Sequence, residues 1–300
     1  VKYVLGFAKL IGLFLFIYII STLEYGKVAD TFFGLDIGYM LSYAVCWFIF
    51  YFLRIARWHT IQKKYTPDIG YKNNLIINIE SLYLSYVTPG KFGEIIKIFL
   101  MKEYFGIQKK DGLTVYVYDR AQDMLMLGLF AFFGGIFVLR YEFNIYIYGL
   151  IALFVLVYGF KHIILNKLSR FYGEIDTLTF DTLLEIRLFV LNLAIFLFFF
   201  LQAYLLAKAF GISIGFIELS SVVALGAIVA LLPISVSGLG VREGVFVVLL
   251  AKYGVGKEEA VMLSLLDNIV FAALFMVVLH LLNVTVFRKM LDKTQKKDIA

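Results

Sequence analysis

Three long apolar runs, Val4–Ile20, Leu188–Ala207 and Ala260–Phe287, constrain this chain more than any other feature. A helix of about 20 mainly apolar residues crosses the roughly 30 Å hydrocarbon layer of a bilayer, and these runs meet or approach that length. The rest of the sequence agrees: 62% of the 300 residues are apolar and 17% are charged, against about 45–50% and about 25% in soluble domains. A water-soluble fold of this size has too little polar surface to cover so much hydrocarbon. The 31 phenylalanines and 20 tyrosines suit lipid-facing surfaces and interfacial belts. The sequence is that of an all-α, polytopic helical membrane protein.

The same distribution sets aside several function classes. The net charge of +6 sits in loops between apolar spans and forms no continuous basic stripe, so no nucleic-acid partner is expected. Cys46 is the single cysteine, and there are three scattered histidines; no disulfide, metal site or cofactor is expected from them. No Ser–His–Asp set, His-Glu-x-x-His helix or phosphate loop ending in Gly-Lys-Ser/Thr occurs, and catalysis is not expected. Leu10–Ile20 is followed by Ser21-Thr22-Leu23-Glu24 without a small-residue cleavage pattern, so the first span is expected to stay in the membrane.

Loop charge orients the spans. Segment 24–36 carries Lys27 against Glu24, Asp30 and Asp36, whereas segment 54–73 carries Arg54, Arg57, Lys63, Lys64 and Lys72 against Asp68. Segment 91–111 holds five lysines against three acids, and the tail 288–300 five cations against two. By the positive-inside rule the last three face the cytoplasm and the first faces out, which places both termini inside in a multi-pass protein of the cell membrane. Six full crossings satisfy this parity: 4–23, 37–53, 112–139, 144–160, 188–209 and 260–287. The remaining apolar stretches pair up, 75–88 with 92–106 and 217–232 with 241–253, and each pair begins and ends on one side.

Arms of this length, about 13–16 residues, reach roughly 20–24 Å as helix and fall short of a crossing. Helix-ending residues split each pair: Thr88-Pro89-Gly90 in the first, and Pro233 through Ser237-Gly238-Leu239-Gly240 in the second. The pairs read as two opposed re-entrant helical hairpins, one entering from each face; the alternative is four short, tilted crossings. Opposed hairpins that build one site would bring breaks 88–93 and 233–241 within about 10 Å of each other at mid-membrane depth.

The two hairpins belong to an internal repeat. Phe105-Gly106-Ile107-Gln108-Lys109-Lys110-Asp111 follows the first, and Tyr253-Gly254-Val255-Gly256-Lys257-Glu258-Glu259 follows the second. Gly106 precedes Asp119 by 13 residues, and Gly254 precedes Asp267 by the same 13. Each unit is therefore span, broken hairpin, span, and loop charge inverts one against the other. Residues 1–300 read as one domain, with a first inverted unit at about 37–139, a second at about 188–287 and a cytoplasmic connector at 161–187. Inverted repeats with discontinuous helices are a transporter design.

The breaks and the buried charges carry the candidate site. Gly90, Lys91 and Gly93 start the second arm of the first hairpin, with Glu94 and Lys97 following; Ser237, Gly238 and Gly240 do the same in the second, with Arg242 and Glu243 following. A helix start offers free amides and the positive end of its dipole to a phosphate, and Lys91 and Arg242 add cations there. The competing reading is that the glycines only allow close helix packing in lipid. Asp119, Arg120 and Asp123 lie 8 to 12 residues past Asp111 inside an apolar helix; charges at such depth usually face a polar cavity and pair with one another. Arg120 and Asp123 are three apart and share a helix face. A structural ion pair remains the alternative, as does an Arg242 that pairs with Asp267 or another carboxylate and serves only folding. Glu80, Asn78 and Glu218 are weaker candidates, and His280 reads as a packing histidine.

Together these motifs resemble a known family. Pro89-Gly90-Lys91-Phe92-Gly93-Glu94 with Lys97, then Asp119-Arg120 with Asp123, then Pro233 with Gly238-Leu239-Gly240-Val241-Arg242-Glu243-Gly244, are similar to the flippase-like membrane domain of lysylphosphatidylglycerol synthases. Similar domains occur as stand-alone proteins and beside glycosyltransferase domains of polyprenyl-phosphate sugar pathways. The resemblance implies translocation of an anionic or phosphate-bearing lipid between leaflets. Lys91, Arg120 and Arg242 would hold phosphate, while Asp119, Asp123 and Asp267 would modulate charge or contact sugar or amine groups. No soluble catalytic domain is present in the sequence, so neither aminoacyl nor glycosyl transfer is expected of it. The alternative function is a membrane subunit that binds lipid and presents it to a separate transferase. Membrane lipids are the expected partners, and nothing in the sequence sets an oligomeric state.

Overall fold

The structure, a computed structural model, describes residues 14–87, 93–139, 182–231 and 238–295, without the side chains of 269 and 284–295. Every regular element in these residues is helical. A helical stretch at 14–21 (α1) leads to α2 (Tyr25–Phe33), α3 (Ile37–Tyr65), α4 (Tyr71–Val87), α5 (Ile96–Phe105) and α6 (Lys109–Leu139). After the intervening residues come α7 (Thr182–Ala209), α8 (Phe216–Val229), α9 (Val241–Leu250), α10 (Lys257–Leu265) and α11 (Phe271–Gln295). A π-helical segment, Leu266–Val270, joins the last two.

Four helical runs are long and apolar enough to cross a membrane: Ile37–Tyr65, Lys109–Val138, Thr182–Ala209 and Lys257–Asn283. Their outward faces carry large apolar side chains such as Leu41, Val45, Phe133, Leu197 and Leu281, all exposed; in a bilayer those faces meet lipid. Three of these runs correspond to expected spans 37–53, 112–139 and 188–209, and the fourth to 260–287. Spans 4–23 and 144–160 and connector 161–187 lie wholly or largely outside the described residues, although 182–187 already belong to α7.

The boundary at 53 is a correction. α3 runs 29 residues to Tyr65, so Arg54 and Arg57 stand within a helix and not in a charged loop. Its start is capped by Asp36, whose Oδ1 accepts the Tyr39 amide at 2.9 Å, and Pro67 stops its continuation. Nothing in local sequence ends it at residue 53, and the two arginines have carboxylates waiting inside the protein. In the short turn that follows, Asp68 accepts the Gly70 amide at 2.8 Å, a contact that holds its carboxyl below the usual carboxylate range.

The paired short helices are present. α4 spans 17 residues and α5 10; α8 spans 14 and α9 10. α4 packs on α5, and α8 on α9. α5 begins later than expected, at Ile96, after a single 3-10 turn at 93–95. Gly93 is pressed so close to the end of α4 that an added Cβ would sit 2.2 Å from the Leu84 carbonyl carbon. Gly238, at φ +81, is pressed against Ala230 in the same way. Both second arms close on left-handed glycines, Gly106 (φ 66) and Gly254 (φ 76), a conformation that favours glycine because it has no Cβ. The element order short helix, break, short helix, left-handed glycine, long helix thus occurs twice.

The chain forms two compact units. One comprises Val1–Phe50, Met124–Leu156 and Ala194–Val270. Its described part holds a ring cluster of Phe130, Phe196 and Phe200 and close helix approaches of Gly134 to Ser221 and Gly226 to Phe246. The other comprises Tyr51–Asp123, Val157–Leu193 and Phe271–Ala300. Its core gathers Trp58, Ile61, Ile77, Met101, Val115, Tyr118 and Leu188, and in it α4 packs on α11 as well as on α5.

Candidate functional site

The second unit contains a buried ionic network built from three helices and the turn before α5. Arg57 is fully buried: its Nε donates to Asp119 Oδ1 at 2.9 Å, and its Nη1 to Asn192 Oδ1 at 2.7 Å. Its Nη2 lies 2.7 Å from Asp123 Oδ1. Arg54, one turn earlier on α3, reaches the other oxygen of Asp123 at 3.2 Å. Arg120 on α6 is placed among three carboxylates: Asp119 at 2.8 Å, Glu94 at 3.1 Å and Asp123 at 3.3 Å. Asn192 completes the set by donating to Gln122 at 2.9 Å. Spacing explains which faces meet: residues 54 and 57 on α3, and 120 and 123 on α6, are each three apart.

Lys97 on α5 is buried beside this network, and its charge acts on Glu94 and Asp119. Its ammonium sits 3.7 Å from the centroid of the Trp58 ring and 5.6 Å from that of Tyr116, within cation–π range. Among the described residues no carboxylate lies within ion-pair distance of it. Arg120 Nε is likewise buried without a hydrogen-bond partner. Trp58 is itself held by Asn74, which accepts its indole N–H at 3.1 Å.

The other unit holds a smaller polar centre at the start of α9. Arg242 donates through Nε to Ser264 Oγ at 3.1 Å and approaches Glu243 Oε1 at 3.4 Å. Ser264 donates in turn to Glu243 Oε1 at 2.9 Å. Glu243 Oε2 accepts the Gly240 amide at 2.6 Å, so the carboxylate of this chain already caps the α9 start and one amide expected to be free is not. Asp267 is buried in the π segment, with Oδ1 unpartnered and Oδ2 3.4 Å from the Asn268 amide.

Of the residues that the sequence singles out, Glu94, Lys97, Asp119, Arg120 and Asp123 come together, with Gly93 at the turn that positions them. Gly238, Gly240, Arg242 and Glu243 form the second centre. Gly90, Lys91 and Ser237, with Pro89 and Pro233, lie outside the described residues. Arg54, Arg57, Trp58, Gln122 and Asn192 join the network without having been singled out. The signal for Asn192 was present as a polar residue deep in the apolar run 188–207; the two arginines were read only as topological charge. Glu218 touches neither centre, its carboxylate lying against Gly215 at the start of α8.

Comparison with known proteins agrees with this arrangement. The chain is 21% identical to a UPF0104 membrane protein of Methanothermobacter thermautotrophicus, over 71% of this chain and 73% of that protein. Residues 3–279 match the family described as the lysylphosphatidylglycerol synthase TM region. That match takes in both broken helix pairs, the ionic network and the α9 centre. This membrane protein belongs to the lysylphosphatidylglycerol synthase TM-region family.

Proposed function

We propose that the protein is a flippase-like transporter that moves an anionic or phosphate-bearing lipid, a phospholipid or a polyprenyl-phosphate-linked lipid, between the leaflets of the cell membrane. The observation that carries this reading is a cation excess buried in membrane-spanning helices. Four cations, Arg54, Arg57, Lys97 and Arg120, gather around three carboxylates, Glu94, Asp119 and Asp123. A buried charge is costly unless it is paired, and a lipid phosphate supplies the missing negative charge. Lys97, faced by aromatic rings, and Arg120, with an unfilled Nε donor, are the groups left to engage it.

In this reading the broken pairs are re-entrant hairpins of an inverted repeat with six crossings and both termini cytoplasmic. Lys91 and Arg242 assist at the hairpin starts, and no catalytic step is assigned to this chain. Lipid tails stay in the bilayer while the headgroup passes through the polar lining.

Reconstitution tests it. Purified protein in phosphatidylcholine vesicles containing tail-labelled phosphatidylglycerol should move label between leaflets, read as the fraction protected from a membrane-impermeant quencher. Arg120→Ala should slow this by about tenfold or more, as loss of a charge-assisted contact implies. A second reading rests on the family's own description, which ties such a region to a synthase: the protein binds lipid and presents it to a separate transferase. Saturable lipid binding without inter-leaflet movement selects that reading.

A further inference from the structure

We propose that Glu80 and His280 form a proton-binding site that clamps the first hairpin arm, so that lipid movement responds to proton concentration. The inference rests on the transporter reading for its link to lipid, but the clamp itself rests on geometry. Glu80 on α4 and His280 on α11 are 200 residues apart in sequence, and His280 Nδ1 lies 2.9 Å from Glu80 Oε2. The other carboxylate oxygen, Oε1, accepts from Asn283 at 2.7 Å, and the same amide nitrogen reaches the Ile76 carbonyl at 3.3 Å. With both oxygens accepting, Glu80 is arranged as a carboxylate and Nδ1 as its donor. The exchangeable proton is then the one on the second ring nitrogen, Nε2, of a ring that is part-exposed.

Three features favour the imidazolium. A carboxylate alone in an apolar setting is costly, and a cation beside it makes the pair neutral. Tyr83 lies parallel to the imidazole at 3.9 Å between centroids and 5° between planes, which offers a π face to a cation. Histidine also changes charge near physiological pH. The groups facing the pair are Tyr83 from α4 and Asn283 from α11; among the described residues α5, which also packs on α4, places no ion-pair partner on either group.

Glu80 and Tyr83 on α4, and His280 and Asn283 on α11, are each three apart and so present matching faces. Protonation of His280 completes a neutral two-helix clamp. Proton loss leaves Glu80 held only by Asn283 and releases α4, the arm that leads into the first break, from α11.

Two measurements on the full-length protein separate the clamp from the transport reading. In the vesicle assay with tail-labelled phosphatidylglycerol, wild-type movement should change by about tenfold between pH 5 and 8, the range over which histidine titrates. Glu80→Gln, which keeps the shape and a hydrogen bond to the ring, and His280→Gln should both flatten this response. In detergent, deuterium exchange of the 71–87 backbone, corrected for the chemical rate, should be faster at pH 8 than at pH 5 in wild type and equal at both in the variants. If vesicles show no lipid movement while α4 protection still follows pH through these two residues, the transport reading fails and the clamp stands. Equal α4 protection at both pH values in wild type overturns the clamp, as does an unchanged pH response in a Glu80→Gln protein that melts like wild type.

Discussion

Arg57 shows what a single buried charge does in this protein. Its guanidinium has no solvent contact, and it is held by Asp119, Asp123 and Asn192. Burying such a group is repaid only when its partners are all in place, and removing one partner strands the others. Arg57→Ala should therefore cost about 3–5 kcal/mol, the usual penalty for breaking a buried pair, with Asp119 the most exposed to the loss. Arg57→Lys should restore only part, because an ammonium cannot serve carboxylate and amide along the fixed directions of the fork. Thermal unfolding in detergent is the measurement, and an alanine variant that melts with wild type would remove Arg57 from the network. Arg242 is built differently: its partners, Glu243 and Ser264, lie within 22 residues on α9 and α10, so part of its role is local support of the α9 start.

At the scale of elements, the breaks matter as much as the helices. Gly93 allows the chain to return against α4 at backbone distance, and any side chain there meets the Leu84 carbonyl group. Gly93→Ala should destabilise the protein by about 1–3 kcal/mol, in the range of overpacked cores, and should loosen the turn that positions Glu94 and Lys97. Gly26, in the exposed helix α2, has open space around its Cα. Gly26→Ala should leave stability unchanged or raise it by up to about 1 kcal/mol from helix propensity alone. Equal melting points for the two variants would contradict the close return at residue 93. The π segment at Leu266–Val270 is the second special element; such bulges occur where a helix is distorted to place a side chain, here Asp267.

For the whole molecule the orientation in the membrane follows from loop charge, and it is open to a direct check. With Cys46 replaced by alanine, a cysteine at Asp68 should react with an impermeant maleimide only after the cells are opened. A cysteine at Asp30 should react in intact cells. The reverse pattern would invert the topology, and labelling of both in intact cells would break the parity on which six crossings rest. Both positions lie outside the long apolar helices, so labelling reports sidedness without disturbing a span.

Composition and periodicity alone determined that this chain is a helical membrane protein, where its short helices pair and where they break. These are local properties: hydrocarbon length, proline and glycine geometry, and the left-handed glycines at 106 and 254 act within a few residues. The grouping of Asp119, Arg120 and Asp123 was legible for the same reason, since helical spacing alone brings 120 and 123 to one face. The partners of the buried charges were not. Arg57 meets Asp119 across 62 positions and Asn192 across 135, and Glu80 meets His280 across 200. Read locally, the two arginines of α3 were loop charges and His280 a packing residue. Only the tertiary structure decided otherwise, because in hydrocarbon a charge must find its opposite wherever the fold brings one, and that choice is written in no single segment of the sequence.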